Sequence, residues 1–175
     1  MATGSASGDG VQPDVFHALP VAATLVDTAG VIVDVNDAFL QHASRLGVEV
    51  DPADRIGHPI LDFARAPSSR VLLEGLLKTV LAGQPDSYEE TPRFADDRAR
   101  FMEVTGRPLI DDEGCVTGAL ILREDVTARV QRERRRQVLF DIHQTVWRMS
   151  NSDDLESVLV AVRDGLKDLD LPFED

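Results

Sequence analysis

The sequence predicts an α+β fold, a five-stranded antiparallel sheet with helices packed on one face. Three observations predict it. Residues 101–110 and 116–122 read as two apolar strands around a tight acidic-glycine turn, residues 23–26 and 31–35 repeat that pattern earlier, and helical apolar spacing fills the interval between them. Strand pairs that bury one face need a helical layer to cover it.

Each element follows in chain order. The strand 23–26 turns through Asp27-Thr28-Ala29-Gly30 into 31–35, and Asn36 caps a helix that begins Asp37-Ala38-Phe39-Leu40. After Arg55-Ile56-Gly57-His58-Pro59, Pro67-Ser68-Ser69 opens a longer helix with Val71, Leu72, Leu76, Leu77, Val80 and Leu81 at three- and four-residue steps, closed by Gly83-Gln84-Pro85. Residues 88–94 supply another strand. Phe101, Met102, Val104, Leu109 and Ile110 lie in the next, Asp111-Asp112-Glu113-Gly114 provides a turn whose glycine accepts positive φ, and 116–122 returns. Asp125 and Thr127 then stand where a helix needs an N-cap oxygen. A strand running into a capped helix is a mechanical joint, through which strain in the sheet can redirect the helix.

These pieces, in this order, resemble a PAS sensor domain. Strand, D-x-x-G, strand, N-x-A-F, then I-G-x-P match its N-terminal half, and RPL, D-x-x-G and a strand ending in D-x-T match its C-terminal half, the PAC motif. Together they cover roughly two-thirds of the chain. His58 departs from the arginine usual in the family. The resemblance implies a sensor at 14–127 with a cavity between sheet and helices, lined by Leu25, Phe39, Leu40, Ile60, Phe63, Leu73, Leu76, Met102, Val104, Ala119 and Ile121. Plain core packing is the alternative for each, since apolar stripes exist first to bury surface. Arg123, on the inward face if it shares that of Ala119 and Ile121, is placed to pair with a ligand carboxylate; a surface ion pair at the strand edge is the other reading.

The cofactor is unknown from sequence. Family members that bond flavin covalently carry a cysteine on the short helix after I-G-x-P, where this chain has Ile60-Leu61-Asp62-Phe63-Ala64-Arg65, so no covalent flavin is expected. Haem-binding members present a histidine from the long helix, and 69–82 contains none; haem would need His42 or His58 to point inward rather than to the surface.

Beyond Thr127 the composition changes. Residues 128–137 hold five arginines, expected as a solvated helix face against the acidic body, with contact to an anionic partner as the alternative. Leu139, Ile142, Val146 and Met149 follow with the spacing of a short coiled-coil seam. Because PAS proteins commonly signal through such a helix as parallel dimers, a homodimer with a linker helix at 128–150 is implied; Trp147 near the seam reads as packing. Ser150-Asn151-Ser152-Asp153-Asp154 breaks the helix, and Leu155, Val158, Leu159, Val162, Leu166 and Leu169 share one face of the next, before Leu171-Pro172-Phe173. This resembles the entry helix of a GAF domain, so 151–175 reads as the start of a following domain and the chain as part of a longer signalling protein that carries an output domain.

Composition narrows the class. At 175 residues the chain suits one domain with an appendage, preceded by a small, polar leader at 1–13. A net charge of −13 argues against a nucleic-acid or acidic-membrane partner. No apolar run reaches the roughly 18 residues of a membrane span. The single cysteine, Cys115, forms no internal disulfide, and without a signal peptide a reducing cytoplasm is the simplest compartment. An enzyme is not expected: there is no nucleophile beside a base, no metal-ligand cluster and no phosphate loop, while Asp96-Asp97 and Asp111-Asp112 sit in turns. The function expected is a sensory or regulatory module acting on a downstream output. The alternatives are a phosphotransfer fragment with His143 as acceptor, which lacks an acidic or basic neighbour at Gln144, and a ligand-free PAS domain that only dimerises.

Overall fold

The computed structural model describes residues 13–45, 48–64, 66–91, 100–147 and 155–168. Nearly all of the expected leader, the end of the expected strand at 92–94, Asp96-Asp97, Met149, the break at 150–154 and the segment from Leu169 onward lie outside the described residues. The chain divides into two compact units, Met1–Asp125 and Val126–Asp175.

In the first unit the order is α1 (Pro13–His17), β1 (Ala22–Asp27), β2 (Ile32–Val35), α2 (Asp37–Arg45), 3-10 turns at Pro52–Asp54 and Ile60–Phe63, α3 (Pro67–Leu81), β3 (Asp86–Glu90), β4 (Met102–Ile110) and β5 (Val116–Asp125). The five strands form one antiparallel sheet in the order β2-β1-β5-β4-β3. The first and last strand pairs therefore meet at the centre, where β1 lies beside β5. The third strand starts at Asp86, two residues before the expected 88, because Asp86–Glu90 pairs residue by residue with 102–106 of β4.

Two D-x-x-G turns close the hairpins by the same chemistry. Asp27 Oδ1 accepts the Ala29 and Val31 N–H groups at 2.8 and 2.9 Å, while Asp111 Oδ1 accepts those of Glu113 and Cys115 at 3.0 and 2.8 Å. Gly30 and Gly114 end these turns at φ of 75° and 82°, the left-handed region that a side chain resists. The Ile56-Gly57-His58-Pro59 segment is tied to the edge of β2. Gly57 N–H donates to the Ile32 carbonyl, and Ile32 N–H donates back to that of His58.

Asn36 is the polar hub of the fold. Fully buried, it accepts from Phe39 N–H as the cap of α2 and from Ala23 N–H on β1, each at 2.9 Å, while its Nδ2 donates to the Val21 carbonyl at 2.9 Å. Weaker donations reach the carbonyls of Leu19 and Phe16, at 3.3 and 3.4 Å. One side chain thus joins the start of α2, the start of β1 and the segment that follows α1.

The core lies under α3. Leu73, Leu76, Leu77 and Val80 pack with Val26, Ile32, Val35, Ile60, Val104, Ala119 and Ile121. The buried face of α3 differs from the expected one in that Val71 and Leu72 are exposed and Leu73 is buried. The helix turns on 73, 76, 77 and 80 because it sits directly on β4: a Cβ on Gly106 would stand 2.5 Å from Val80 Cγ2.

The second unit contains α4 (Thr127–Trp147) and α5 (Leu155–Asp168), which pack on each other. A Cβ on Gly165 would meet Val138 at 2.6 Å and Ile142 at 3.7 Å, so the backbones approach closely there. Ile142, expected on a seam between chains, is therefore half-covered by α5 of its own chain. Leu139 and Val146 remain exposed, together with Phe140 and Trp147. On α5 the expected apolar face is incomplete, with Leu159 exposed and Val158 and Val162 half-buried.

Candidate functional site

A cavity of about 140 Å³ opens between the inner face of the sheet, α2, the 3-10 turn Ile60–Phe63 and the start of α3. Strand alternation aims its floor. Ala22, Thr24 and Val26 on β1 stand opposite Arg123, Ile121 and Ala119 on β5, and the next pairings put Val104 opposite Arg123 and Glu90 opposite Met102. Arg123 consequently shares the inward face with Ile121, the condition on which its sequence-based role depended. From the helical side, Phe39, His42 and Ala43 face the cavity at the i, i+3, i+4 spacing of one helix face.

Of the residues expected to line the cavity, Phe39, Ile60, Phe63, Leu73, Met102, Ile121 and Arg123 do so. Leu76, Val104 and Ala119 do not: they lie under α3 in the closed part of the core. Leu40 packs against that core from α2, and Leu25, between the inward Thr24 and Val26, belongs to the opposite sheet face. Asp125 and Thr127 occupy the last position of β5 and the first of α4. The Asp125 carboxylate lies 3.9 Å from the Arg100 guanidinium, which places it in an ion pair as well as at the joint.

The apolar part of the lining is aromatic and aliphatic, and Arg55 lays its guanidinium 3.8 Å from the centre of the Phe63 ring. His58, exposed, meets the same ring edge-on. The polar end contains Glu90, which sequence reasoning missed, and His42, which it turned inward only as a condition for haem. Glu90 shares Tyr88's face by simple alternation, and His42 lies three residues after Phe39, so both signals were present. His42, read from sequence as a surface side chain unless turned inward, is on the lining.

This polar end is under-bonded. Glu90 Oε1 lies 3.8 Å from Arg123 Nη2, beyond hydrogen-bonding distance, and the Glu90 side chain is only 10% exposed. His42 Nε2, Tyr88 Oη, Glu90 Oε2 and Arg123 Nε are buried without a hydrogen-bond partner among the described residues. Burial, reinforced by the Arg123 charge, lowers the His42 pKa and favours the neutral imidazole. Burial, reinforced by Glu90, pushes the Tyr88 hydroxyl up to about 12, against the opposing charge of Arg123 and a contact with its side chain that falls short of a well-formed hydrogen bond; the phenol stays neutral beside the guanidinium. The arrangement can offer a bound molecule donors, acceptors and an apolar surface together. No group of three or more metal-ligating side chains occurs among the described residues.

A 2-1-5-4-3 antiparallel sheet with helices on its inner face and a ligand-sized cavity between the layers defines a sensor-type α+β domain. The chain belongs to the PAS fold family, whose profile matches residues 16–131, well over half of its length. Among solved structures it is similar to the PAS domain of Bordetella pertussis BvgS, at 22% identity and a TM-score of 0.55 over 72% of this chain and 91% of that one. It is also similar to Vibrio cholerae VqmA, described as a dimer among LuxR-type receptors, at 18% identity and a TM-score of 0.52 over 66% of this chain. The chain spans half the length of that VqmA chain. An RNA-binding light-oxygen-voltage receptor gives 20% identity and a TM-score of 0.55 over 85% of this chain and 43% of that one. At these identities the likeness is one of fold. No curated protein sequence matches the chain. As a PAS domain it is a sensory or regulatory module, and no described helix is long and apolar enough to cross a membrane.

Proposed function

We propose that this PAS domain is the input module of a larger signalling protein, binding a small molecule in its cavity and passing the occupied state along α4 to an output domain. The observation that carries this reading is the polar end of the cavity, where His42, Glu90 and Arg123 each bury a polar atom with no hydrogen-bond partner among the described residues. Each such atom costs about 1–3 kcal/mol, which a ligand supplying the missing bonds would recover. Two structures of one neighbour accord with it: VqmA was solved bound to DPO, and also as a complex with ligand and DNA.

The route out is chain continuity. Arg123 on the cavity wall, Asp125 at the end of β5 and Thr127 at the start of α4 are separated by two residues each, so a shift of Arg123 towards a ligand is delivered to the first turn of the helix. The exposed Leu139 and Val146, with Phe140 and Trp147, are the surface we assign to a homodimer, with Ile142 holding α5 instead. The helix α5 serves as the entry to a following GAF-like domain, and the module itself is not an enzyme. Covalent flavin has no cysteine on the Ile60–Phe63 turn, and Cys115 is exposed beside the β4–β5 turn. His42 does face inward, but a cavity of about 140 Å³, close to the roughly 150 Å³ that holds benzene, favours a single-ring molecule over haem or a flavin ring system. A ligand-observed NMR screen of small fragments tests the reading. Binders to the natural chain should be lost in Ala43→Phe, which fills the cavity from α2; a library yielding no binder sensitive to that substitution would refute it.

A further inference from the structure

The polar end of the cavity is charged yet balanced. Glu90 faces Arg123 across 3.8 Å, Arg100 faces Asp125 across 3.9 Å, and the charges of Arg123, Asp125 and Arg100 all act on His42. A carboxylate drawn in by Arg123 would meet Glu90 in the same reach, and a cation drawn in by Glu90 would meet Arg123. The Glu90 side chain is only 10% exposed against 38% for Arg123, so a like-charge contact on the Glu90 side is poorly screened and the opposite pairing offsets it only in part. The polar end therefore disfavours ions of both signs, including the carboxylate for which Arg123 alone would be suited, while Arg55, the other arginine on the lining, stacks its guanidinium over the Phe63 ring.

A neutral ligand meets the opposite situation. Glu90 Oε2 and Arg123 Nε are without a hydrogen-bond partner among the described residues, and Oε1 and Nη2 of the same two groups lie 3.8 Å apart, so an acceptor group and a donor group stand side by side. The matching molecule carries a donor and an acceptor on neighbouring atoms. Its body must be apolar to lie against Phe39, Phe63, Ile60 and Ile121, and it must be about the size of benzene to fit 140 Å³. We infer that the cavity selects a net-neutral, single-ring molecule with an amide-like edge, its N–H donating to Glu90 and its carbonyl accepting from Arg123. His42, beside the pair, supplies a further hydrogen-bonding group. This assignment rests on the ligand-binding reading above and adds the chemical class.

Four ring-sized probes separate the two claims when titrated into the 175-residue protein and followed by ¹H–¹⁵N correlation NMR: 2-piperidone, N-methyl-2-piperidone, cyclohexanecarboxylate and benzene. In the natural chain 2-piperidone should bind about tenfold or more tightly than the N-methyl compound, which cannot donate to Glu90, and than the carboxylate. Glu90→Gln removes the charge that balances Arg123 and should raise the affinity for cyclohexanecarboxylate about tenfold, a gain that a damaged fold cannot produce. If none of the probes shifts the cavity resonances, ligand binding itself is refuted. If benzene or the carboxylate binds the natural chain as tightly as 2-piperidone, the cavity is a ligand site but the amide edge is wrong, an outcome that for the carboxylate would point to Arg55 meeting the anion. Unchanged carboxylate affinity in Glu90→Gln also overturns the assignment.

Discussion

Replacing Asn36 with alanine should be the most damaging polar substitution in the domain. The cap alone accounts for about 1 kcal/mol, since Phe39 N–H loses its side-chain acceptor at the start of α2. The larger effect comes from the other partners. Ala23 N–H and the Val21 carbonyl, each bonded at 2.9 Å to the fully buried Asn36, lose that partner at about 1–3 kcal/mol apiece. The sum, about 3–7 kcal/mol, is a large share of the 5–15 kcal/mol that holds a typical domain folded. The thermal midpoint should fall by roughly 10–20 °C. Far-UV circular dichroism through a urea titration measures the loss; fluorescence of Trp147 does not, because that residue lies in the second unit. Asp51 provides the internal comparison. Its carboxylate caps the first 3-10 turn through Ala53 N–H on an exposed surface, so Asp51→Ala should cost no more than about 1 kcal/mol. Equal losses for the two substitutions would refute the argument that burial of the hub, rather than capping, sets its importance.

Gly106→Ala should destabilise by about 1–3 kcal/mol, because its Cβ would press on Val80 Cγ2 at 2.5 Å and Leu76 Cγ at 3.2 Å. Combined with Val80→Ala it should cost less than the sum of the two, and strict additivity in urea melts would show that α3 does not rest on that glycine. His42 predicts a pH dependence. Its folded pKa lies below the unfolded value of about 6.5, chiefly through burial and then through Arg123, with Arg100 and Arg45 acting in the same sense and Asp125 against. The unfolded chain therefore binds the proton first, so the contribution to stability is complete above about pH 6.5 and is lost as pH falls towards the folded pKa. His42→Gln should flatten the fall in stability between about pH 7 and pH 5 relative to the natural chain; parallel curves would place the imidazole in water.

The features legible in the sequence are those whose cause is local. Asp27 and Asp111 close their turns with their own side chains and a glycine three residues on, and no distant residue changes that chemistry. Asn36 reads as a cap because a helix start needs an oxygen there, and β4 and β5 read as a hairpin because alternation and turn agree. What alternation reports is a face. It placed Arg123 with Ile121 and Ala119, and it put Tyr88 and Glu90 together, without saying what lies above them.

That was decided by the path of α3. Where the helix presses on Gly106 it seals Leu76, Val104 and Ala119 into core, and beyond its reach Met102, Ile121 and Arg123 border open space. Residues on one sheet face with the same apolar character thus divided into core and cavity by a packing choice made tens of residues away. The same holds for Ile142, whose spacing fits a seam between chains but whose burial comes from the close approach of Gly165. The charges followed suit: Glu90 and Arg123 come from strands that are not neighbours in the sheet, so only the assembled order β5-β4-β3 set them across from each other over Val104 and Met102. Composition, turns, caps and strand faces follow from short-range sterics and hydrogen bonding, and the sequence determines them alone. Depth, cavity and charge pairing depend on which surfaces meet, and that is settled only when the layers pack.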